Sequence, residues 1–386
     1  MTREQRQNEL IAALVERGFN GTVVAATGFG KTRVGLGAIY RFMQKKPQGR
    51  VLVIVPTIDL SVQWRGLIDK LMPSFSLQIA VLVINTAYKS EEYYDLYVLD
   101  EAHRYGAPEF SKIFGAIKNS PTIMLTATIE RTDGADAMLL AKSPVIDKVS
   151  VEECLREGWV SSYSIYNLPV NFTAEEQAEY NNVDYRFKRA AALVGGMQEA
   201  MLLLKTGNPE QKRHAASFMR YMRERKTLCQ TGINKLPAVL ECLQKFNTRR
   251  TVVFSEDIAF ADSVYNAIPE QTILLHSGLK AKERRAAKAT FEEDKSKLVL
   301  ATVRAANEGI DIPDLSMAVI AAGNSQKRDM IQRIGRTIRN LPGKHAIIIN
   351  LYIPNTQSEV WLKNALKDFK TNVFYIRTLD EIPYTE

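Results

Sequence analysis

The sequence predicts an α/β protein of two domains, each built on a doubly wound parallel sheet, with a helical insertion between them. The chain has 386 residues, which is too long for one ordinary domain and suits two. Short apolar runs alternate with helical patterns, and the runs are continuous, as in parallel strands covered on both faces. This rhythm is interrupted once, by a long basic helical stretch. The composition, 46% hydrophobic and 24% charged, excludes a disordered, collagenous or coiled-coil chain.

The order of the apolar runs sets the domain boundaries. The predicted strands of the first domain lie at 22–26, 51–55, 80–84, 96–99 and 122–125. Helical patterns separate them at 31–46, 59–72 and 108–118. Predicted strands resume at 251–255, 272–275, 297–301, 317–321 and 346–352, followed by a helix and a short strand at 372–376. We therefore assign 1–150 to the first domain, 151–172 to a linker, 173–245 to the basic helical insertion and 246–386 to the second domain.

Several classes of protein are excluded by what the chain lacks. No apolar run reaches the length of about 18 residues that a membrane-spanning helix needs. The polar start of the chain has no apolar segment of the kind found in secretory signals. The three cysteines are widely spaced and form no CxxC pair, which argues against a disulfide framework or a zinc site. We expect a cytoplasmic protein, of a bacterial or phage-infected cell, with no membrane partner.

The excess positive charge is concentrated in one segment. The formal net charge is +8, and residues 186–226 alone hold ten basic and three acidic side chains. Such a surface attracts polyanions. Arg213, Arg220 and Arg223 fall near one helical face and could lie along the phosphates of a nucleic acid. The alternative is a solvated helix whose arginines pair with nearby carboxylates.

A glycine-rich loop follows the first predicted strand and opens a helix, which is the setting of a phosphate-binding loop. Glycines let backbone amides turn toward phosphates, and the helix N-terminus adds partial positive charge. Lys31 would reach the β and γ phosphates, and the Thr32 hydroxyl would ligate Mg²⁺. Ala25 stands where the general pattern has glycine. The candidate nucleotide-binding residues of this phosphate loop are Thr27, Gly28, Gly30, Lys31 and Thr32.

An acidic pair at the end of the strand at 96–99 completes the candidate site. Asp100 is predicted at the carboxyl edge of the sheet, where nucleotide sites of such folds lie. It would hold Mg²⁺ through water, and Glu101 would polarise the attacking water as general base. Lys31, Asp100 and Glu101 are therefore candidate catalytic residues for phosphoryl transfer from ATP.

Asp100-Glu101-Ala102-His103 and Thr27-Gly28-Phe29-Gly30-Lys31-Thr32 together resemble the superfamily 2 helicases and translocases. Further segments resemble the other motifs of this family in the family's order: Val55-Pro56-Thr57 with Leu60 and Gln63-Trp64, Thr126-Ala127-Thr128, Val253-Phe254-Ser255, Ala301-Thr302 with 307–313, and 332–339. The resemblance implies two RecA-like domains with ATP in the cleft between them. It also implies a thumb-like role for the helical insertion.

The resemblance also implies roles for individual residues. Gln332 would lie near the γ-phosphate, with Arg336 and Arg339 as arginine fingers. Gly309 and Asp311 would contact nucleotide. Pro56, Thr57, Gln63 and Thr302 would contact nucleic acid, and His103, Thr126 and Thr128 would couple hydrolysis to strand movement. A glutamine upstream of the phosphate loop would read adenine, with Gln5 the first candidate and Gln7 the second.

The segment 125–134 is similar to the XPB and UvsW branch, whose members act on double-stranded or branched DNA. The resemblance implies an ATP-dependent DNA helicase or translocase, moving 3′ to 5′, with Mg²⁺ as cofactor. Its task would be to unwind or remodel forked, branched or R-loop DNA in replication, repair or recombination. The alternatives are an RNA helicase and a DNA-translocating motor subunit of a restriction or remodelling complex.

Overall fold

The computed structural model describes residues 1–90, 92–117, 119–129, 134–303, 315–322, 345–367, 369 and 371–383. Within these ranges the chain forms two compact units, the first over Met1–Ser162 and the second beginning at Tyr163. None of the helices in these ranges has the length and apolar character needed to cross a bilayer.

The first unit is built on a six-stranded sheet. Its strands are β1 (Gly21–Ala25), β2 (Val51–Val55), β3 (Ile79–Val83), β4 (Leu96–Asp100), β5 (Thr122–Thr126) and β6 (Val145–Val149). They lie in the order β3-β2-β4-β5-β1-β6, and every pairing between them is parallel. Its helices are α1 (Arg3–Glu16), α2 (Lys31–Lys45), α3 (Ile58–Leu71), α4 (Ile84–Ala87), α5 (Ile113–Ile117), α6 (Asp136–Lys142) and α7 (Val151–Arg156).

The continuous apolar runs of this sheet are buried along their whole length. Every residue of β2, β4 and β5 is buried, as expected for strands covered on both faces. Because the four neighbours β2, β4, β5 and β1 are parallel, their carboxyl ends meet at one edge of the sheet. The segments that follow these strands are those singled out by the sequence motifs.

The second unit is built on a seven-stranded sheet. Its strands are β7 (Tyr163–Pro169), β8 (Thr251–Ser255), β9 (Thr272–Leu275), β10 (Val299–Val303), β11 (Met317–Ile320), β12 (Ala346–Tyr352) and β13 (Val373–Tyr375). Their order is β13-β7-β12-β11-β8-β10-β9, again with parallel pairings. Its helices are α8 (Ala174–Val194), α9 (Met197–Thr206), α10 (Pro209–Thr231), α11 (Lys235–Lys245), α12 (Ile258–Ala267), α13 (Ala281–Glu293) and α14 (Gln357–Leu366). The predicted fold class, two parallel-sheet α/β domains, is confirmed.

The segment predicted as a linker, 151–172, is instead part of both units. Helix α7 belongs to the first unit, and β7 pairs with both β12 and β13 in the second. β7 escaped prediction because polar Ser164 and Asn167 interrupt its apolar run. Both side chains are buried and find cross-strand partners, since Ser164 bonds His345 and Asn167 bonds Asn350.

The range predicted as a helical insertion, 173–245, contains α8 to α11 and lies inside the second unit, between β7 and β8. Helices α8, α9 and α10 pack on one another through a small apolar cluster that includes Val194, Ala200 and Phe218. Helix α11 differs from them because Val239 and Cys242 belong to the main core of the second sheet. The insertion proper is therefore α8 to α10, which we call the thumb.

Candidate functional site

The phosphate loop, 26–32, joins β1 to α2 in a conformation that requires glycine. Gly28 and Gly30 have φ values of +90° and +99°, in the left-handed region that side chains disfavour. A Cβ at Gly30 would lie 2.5 Å from Nε2 of Gln7. Gly30 is also the N-cap of α2, so the N-terminus of this helix, with its partial positive charge, lies beside the loop.

Two side chains of α1 hold the carbonyl groups of this loop. Arg3 donates from Nε to the Phe29 carbonyl at 2.8 Å and from Nη2 to the Gly28 carbonyl at 2.7 Å. Gln7 is buried and donates from Nε2 to the same Phe29 carbonyl at 2.7 Å. With the carbonyls held by α1, the loop can present its N–H groups to an anion.

The structure favours the second of the two adenine-reading candidates. Gln5 is exposed and closes the N-terminus of α1, accepting from the Thr2 amide at 2.7 Å while its own amide donates to Thr2 Oγ1. Gln5 is thus a helix-capping residue, whereas Gln7 lies against the phosphate loop, which makes Gln7 the stronger candidate for the predicted role. Counting residues back from the loop could not decide between positions two apart, because they face opposite sides of a helix.

Residues of the segment predicted as a linker, 151–172, pack against the phosphate loop and α1. Phe29 is fully buried, and its ring packs on that of Trp159 with centroids 5.5 Å apart. A Cβ at Gly28 would come within 3.3 Å of Val160. Arg6 of α1 bonds Glu153 of α7 at 3.2 Å. The first unit therefore needs the chain up to about 162 to complete the support of its phosphate loop.

Lys31 and Asp100 lie close enough to interact electrostatically. The Lys31 ammonium donates to the Ala25 carbonyl at 3.1 Å, at the end of β1. Burial of Asp100 raises its pKa to about 6, as does the charge of Glu101, while a hydrogen bond from Trp64 and the Lys31 charge act in the opposite direction. Oδ1 of Asp100 accepts from the Glu101 amide at 3.0 Å, and Oδ2 accepts from Trp64 Nε1 at 2.9 Å.

The donor set beside the loop suits magnesium. Asp100 is 5% exposed and offers carboxylate oxygens, and Thr32, which follows Lys31 in α2, offers a hydroxyl oxygen. Mg²⁺ prefers such hard oxygen ligands and usually keeps several waters, with nucleotide phosphates completing its coordination. Each Asp100 oxygen uses one lone pair for its hydrogen bond and keeps another for a water. The residues present therefore fit the Mg²⁺ that the resemblance implies.

Glu101 sits on a sharp turn directly after β4. Its φ of +51° and ψ of +52° place it in the left-handed region, which is uncommon for a side chain other than glycine. Such strained conformations cluster at functional sites. Its Oε2 lies 3.6 Å from Nδ1 of His103. The turn thus places a carboxylate at the edge of the sheet, beside the metal-binding candidate Asp100.

His103 links Glu101 to the end of β5. Its Nδ1 lies 3.1 Å from Oγ1 of Thr126, and that hydroxyl donates to the Thr128 carbonyl at 2.6 Å. Because the one hydroxyl proton of Thr126 goes to Thr128, Nδ1 of His103 must be the donor in the other bond. The structure thus brings together His103, Thr126 and Thr128, the three residues predicted to couple hydrolysis to movement.

The predicted nucleic-acid contacts near β2 lie at the same edge of the sheet. Pro56 and Thr57 follow β2 and are half-buried, and Thr57 Oγ1 caps α3 by accepting from the Leu60 amide. Gln63 is exposed on α3. Its neighbour Trp64 is fully buried against Asp100. Trp64 belongs to the sequence motif that contains Gln63, but its bond to Asp100 was not predicted, since a tryptophan in an amphipathic helix is most often a packing residue.

The thumb arginines differ in their surroundings. Arg213 and Arg223 are exposed on α10, whereas Arg220 lies 3.7 Å from Glu224 and over the ring of Tyr221. Arg225, counted in the basic excess, is buried and bonds Asp184 at 2.6 Å. It fastens α10 to α8 and is not free to meet a phosphate. The solvent-exposed charge of the thumb is therefore smaller than the sequence count.

One further predicted nucleic-acid contact, Thr302, lies in the second unit. Thr302 is 1% exposed on β10, and within the described part of the chain its hydroxyl has no hydrogen-bond partner. The structure thus does not present Thr302 to a nucleic acid, contrary to the expectation from sequence. Five further predicted residues lie outside the described ranges: Gly309, Asp311, Gln332, Arg336 and Arg339.

Comparison with known protein families agrees with this arrangement. A family described as "Helicase conserved C-terminal domain" matches residues 234–341. A second, "Type III restriction enzyme, res subunit", matches residues 1–84 and 74–131. The first match includes β8 to β11 of the second sheet, and the second includes the phosphate loop and the acidic pair.

Individual relatives align over most of the chain. The DNA 3′-5′ translocase XPB2 of Sulfurisphaera tokodaii is 28% identical over 87% of this chain and 78% of its own length. The putative DNA 3′-5′ helicase Rad25 of Haloarcula marismortui is 24% identical over 94% of this chain, which spans only 54% of that relative. Among solved structures, Saccharomyces cerevisiae Dbp5 bound to RNA and ADP BeF3 has a TM-score of 0.64 at 16% identity, covering 97% of this chain and 90% of that one. This last likeness shows the fold alone.

Proposed function

The chain is a superfamily 2 helicase that resembles the XPB branch, and from this premise we propose that it is an ATP-driven DNA translocase or helicase. One observation carries the motor assignment: the phosphate loop, the acidic pair and the His103–Thr126 bond lie at the ends of adjacent parallel strands. DNA is preferred as the track because XPB2 and Rad25 are named for DNA and align with most of the chain.

In this proposal the first unit binds and hydrolyses ATP. The amides of the phosphate loop and the Lys31 ammonium hold the phosphates, and Gln7 contacts the adenine side. Glu101 polarises the attacking water as general base. Bound Mg²⁺ would neutralise phosphate charge, held by Thr32 and, through water, by Asp100. Arg336 and Arg339 would stabilise the charge that develops on the transferred group, with Gln332, Gly309 and Asp311 as further nucleotide contacts.

In the proposed mechanism, the contacts of Glu101 couple ATP hydrolysis to movement along the nucleic acid. A change in its position on loss of the γ-phosphate would reach β5 through His103 and Thr126, which are 3.1 Å apart. Pro56, Thr57 and Gln63, at the neighbouring strand end, would contact the nucleic-acid backbone. Arg213 and Arg223 of the thumb would add phosphate contacts that do not depend on base sequence. The expected direction is 3′ to 5′, and the expected task is remodelling forked, branched or R-loop DNA in replication, repair or recombination.

The decisive experiment is steady-state ATPase activity with five nucleic acids: single-stranded DNA, duplex DNA, a fork, a Holliday junction and RNA. We expect strong stimulation by branched or duplex DNA. Lys31→Ala is the control and should abolish turnover with every nucleic acid, because the phosphates lose their ammonium partner. Stimulation by RNA alone would contradict the DNA assignment and leave only the motor function.

A motor subunit of a restriction or remodelling complex is the second candidate function, and it is favoured by the match of 1–131 to a restriction-enzyme subunit. Measuring strand displacement by the purified chain on a forked DNA distinguishes a self-sufficient helicase from a motor subunit. A self-sufficient helicase displaces the strand with ATP alone. DNA-stimulated ATPase without displacement would favour the subunit.

A further inference from the structure

Trp64 connects the helix that follows β2 to the carboxylate that follows β4. It lies in α3, is fully buried, and its indole Nε1 donates to Oδ2 of Asp100 at 2.9 Å. The other oxygen, Oδ1, accepts from the Glu101 amide at 3.0 Å. The orientation of the Asp100 carboxylate is thus set by two hydrogen bonds, of which one comes from a separate helix.

A glycine in α2 makes room for this indole. A Cβ at Gly35 would lie 2.7 Å from Cη2 of Trp64 and 2.8 Å from Cδ1 of Leu125. The ring therefore lies against α2 at Gly35, a position that Leu125 of β5 also approaches closely. Because its surroundings are tightly packed, the indole cannot turn independently and must move with α3.

The exposed side of α3 carries the proposed nucleic-acid contacts. Thr57 caps the helix, and Gln63 precedes Trp64 directly. A nucleic-acid strand that binds Thr57 and Gln63 would therefore contact α3, the helix whose Trp64 bonds the Asp100 carboxylate. Since hydrogen bonds weaken steeply with angle, a small displacement of α3 changes how firmly Oδ2 is held.

We propose that Trp64 is a positioning residue that transmits strand binding at α3 to the Asp100 carboxylate. This inference rests on the proposed nucleic-acid contacts of α3. Trp159 shows that an indole in this unit can be used for packing alone, since within the described ranges its buried N–H has no hydrogen-bond partner. The N–H of Trp64, in contrast, is bonded to a carboxylate beside the phosphate site.

The first test is Trp64→Phe, which keeps an aromatic ring in the core and removes the N–H donor together with the part of the indole that packs at Gly35. Trp361→Phe in α14 is the matched control. ATPase activity is measured with and without single-stranded DNA, together with the Kd of a fluorescent ATP analogue. We expect stimulation by DNA to fall about tenfold, as for the loss of one hydrogen bond to a charged group. The basal rate should fall less than the DNA-stimulated rate, because Asp100 serves both reactions, while the Kd should change little and the control should behave as the unsubstituted protein.

Equal stimulation of Trp64→Phe and the unsubstituted protein would overturn the coupling role while leaving the proposed function in place. If no nucleic acid stimulates even the unsubstituted protein, both the proposed function and this inference fail. A parallel loss of basal activity and of stimulation would mean that Trp64 serves the fold alone, and would also overturn the inference.

The second test does not depend on turnover. The chain has three tryptophans, so Trp159→Phe with Trp361→Phe leaves Trp64 as the single indole. Its emission is recorded as DNA is added without nucleotide, while binding is followed separately by the polarisation of labelled DNA. We expect a shift of the emission maximum that saturates together with binding. Saturated binding with unchanged emission would overturn the proposal.

Discussion

At the scale of single residues, alanine variants of Gln7 and Gln5 test which of the two glutamines serves ATP binding. Gln7→Ala removes a buried hydrogen bond to the Phe29 carbonyl and should raise the KM for ATP by about tenfold, the size expected for one such bond. Gln5→Ala removes one exposed bond of the capping box and keeps the Thr2 cap, so it should cost about 0.5 kcal/mol of stability and leave the KM unchanged. Steady-state kinetics and thermal unfolding of both variants test this assignment, which the reverse pattern would contradict.

Lys235 gives a prediction about pH. It is fully buried at the start of α11 and donates to the Ala321 carbonyl at 2.6 Å. Burial lowers its pKa to about 8 from an ordinary value of 10.5, with the nearby Cys229 opposing the shift. Between these two pKa values the unfolded chain binds more protons than the folded one, so the contribution of Lys235 to stability rises with pH and falls as pH drops through 8.

Comparison with Lys235→Met isolates this effect, because the variant has no amine to titrate. Relative to the variant, the unsubstituted protein should gain about 1.5 kcal/mol of unfolding free energy between pH 8 and pH 9.5. Urea unfolding at several pH values measures the difference, and general alkaline effects cancel between the two proteins. A constant difference across this range would show that the amine is not held neutral by burial.

Residue types and spacing led to a prediction of the site's chemistry, but they did not reveal all of the contacts that hold the predicted residues in place. Lys31, Asp100 and Glu101 belong to motifs whose spacing identifies them. Arg3 belongs to no such motif, and the motif that contains Trp64 does not reveal its partner. Each acts through a contact with a residue distant in the sequence, at separations of 25 and 36 residues. Only the three-dimensional fold brings them to the phosphate loop and to Asp100.

At the scale of elements, the thumb has a testable binding face. Arg213 and Arg223 are exposed on α10, and reversing both to glutamate should weaken DNA binding. The slope of log Kd against log salt should fall by about one for each DNA phosphate that these arginines no longer neutralise. Basal ATPase should stay nearly intact. The control variant combines Arg41→Glu with Lys45→Glu on α2, which changes the charge by the same amount in the first unit.

If the α2 variant lost as much affinity as the α10 variant, general charge rather than the thumb would explain binding. An unchanged salt slope after the α10 reversals would show that these arginines do not meet phosphates. Arg220 interacts with Glu224 and Tyr221, so it should contribute less to DNA affinity than Arg213 or Arg223. Fluorescence polarisation over a range of salt concentrations measures all three effects.

Prediction of elements from sequence succeeded where burial produces a continuous apolar run, as in β2 and β4. It missed β6 and β7 because each places polar residues within the strand. In β6 these are Asp147 and Lys148, at the edge of the sheet. Asp147 pairs with Arg6, and Lys148 is exposed to solvent. In β7 the buried Asn167 is satisfied by Asn350 and by the Phe374 carbonyl, partners that no local pattern reveals.

At the scale of the whole molecule, the position of β7 decides where the chain can be divided. The sequence suggested that the second domain could begin after a linker ending at 172. In the structure β7 lies between β12 and β13, and its register with β12 runs from Tyr163 opposite Ala346 to Pro169 opposite Tyr352. A fragment without β7 would expose the backbone of β12 and leave β13 unpaired.

We therefore expect a fragment of residues 163–386 to fold and a fragment of residues 173–386 to fail, although they differ by only ten residues. The longer fragment keeps Tyr163, Ile165 and Leu168, which are buried against its core, together with the hydrogen-bond partner of Asn350. Circular dichroism during heating should show a cooperative transition for the longer fragment and none for the shorter one. Cooperative unfolding of both fragments would show that β7 is an accessory strand and would restore the boundary inferred from the sequence.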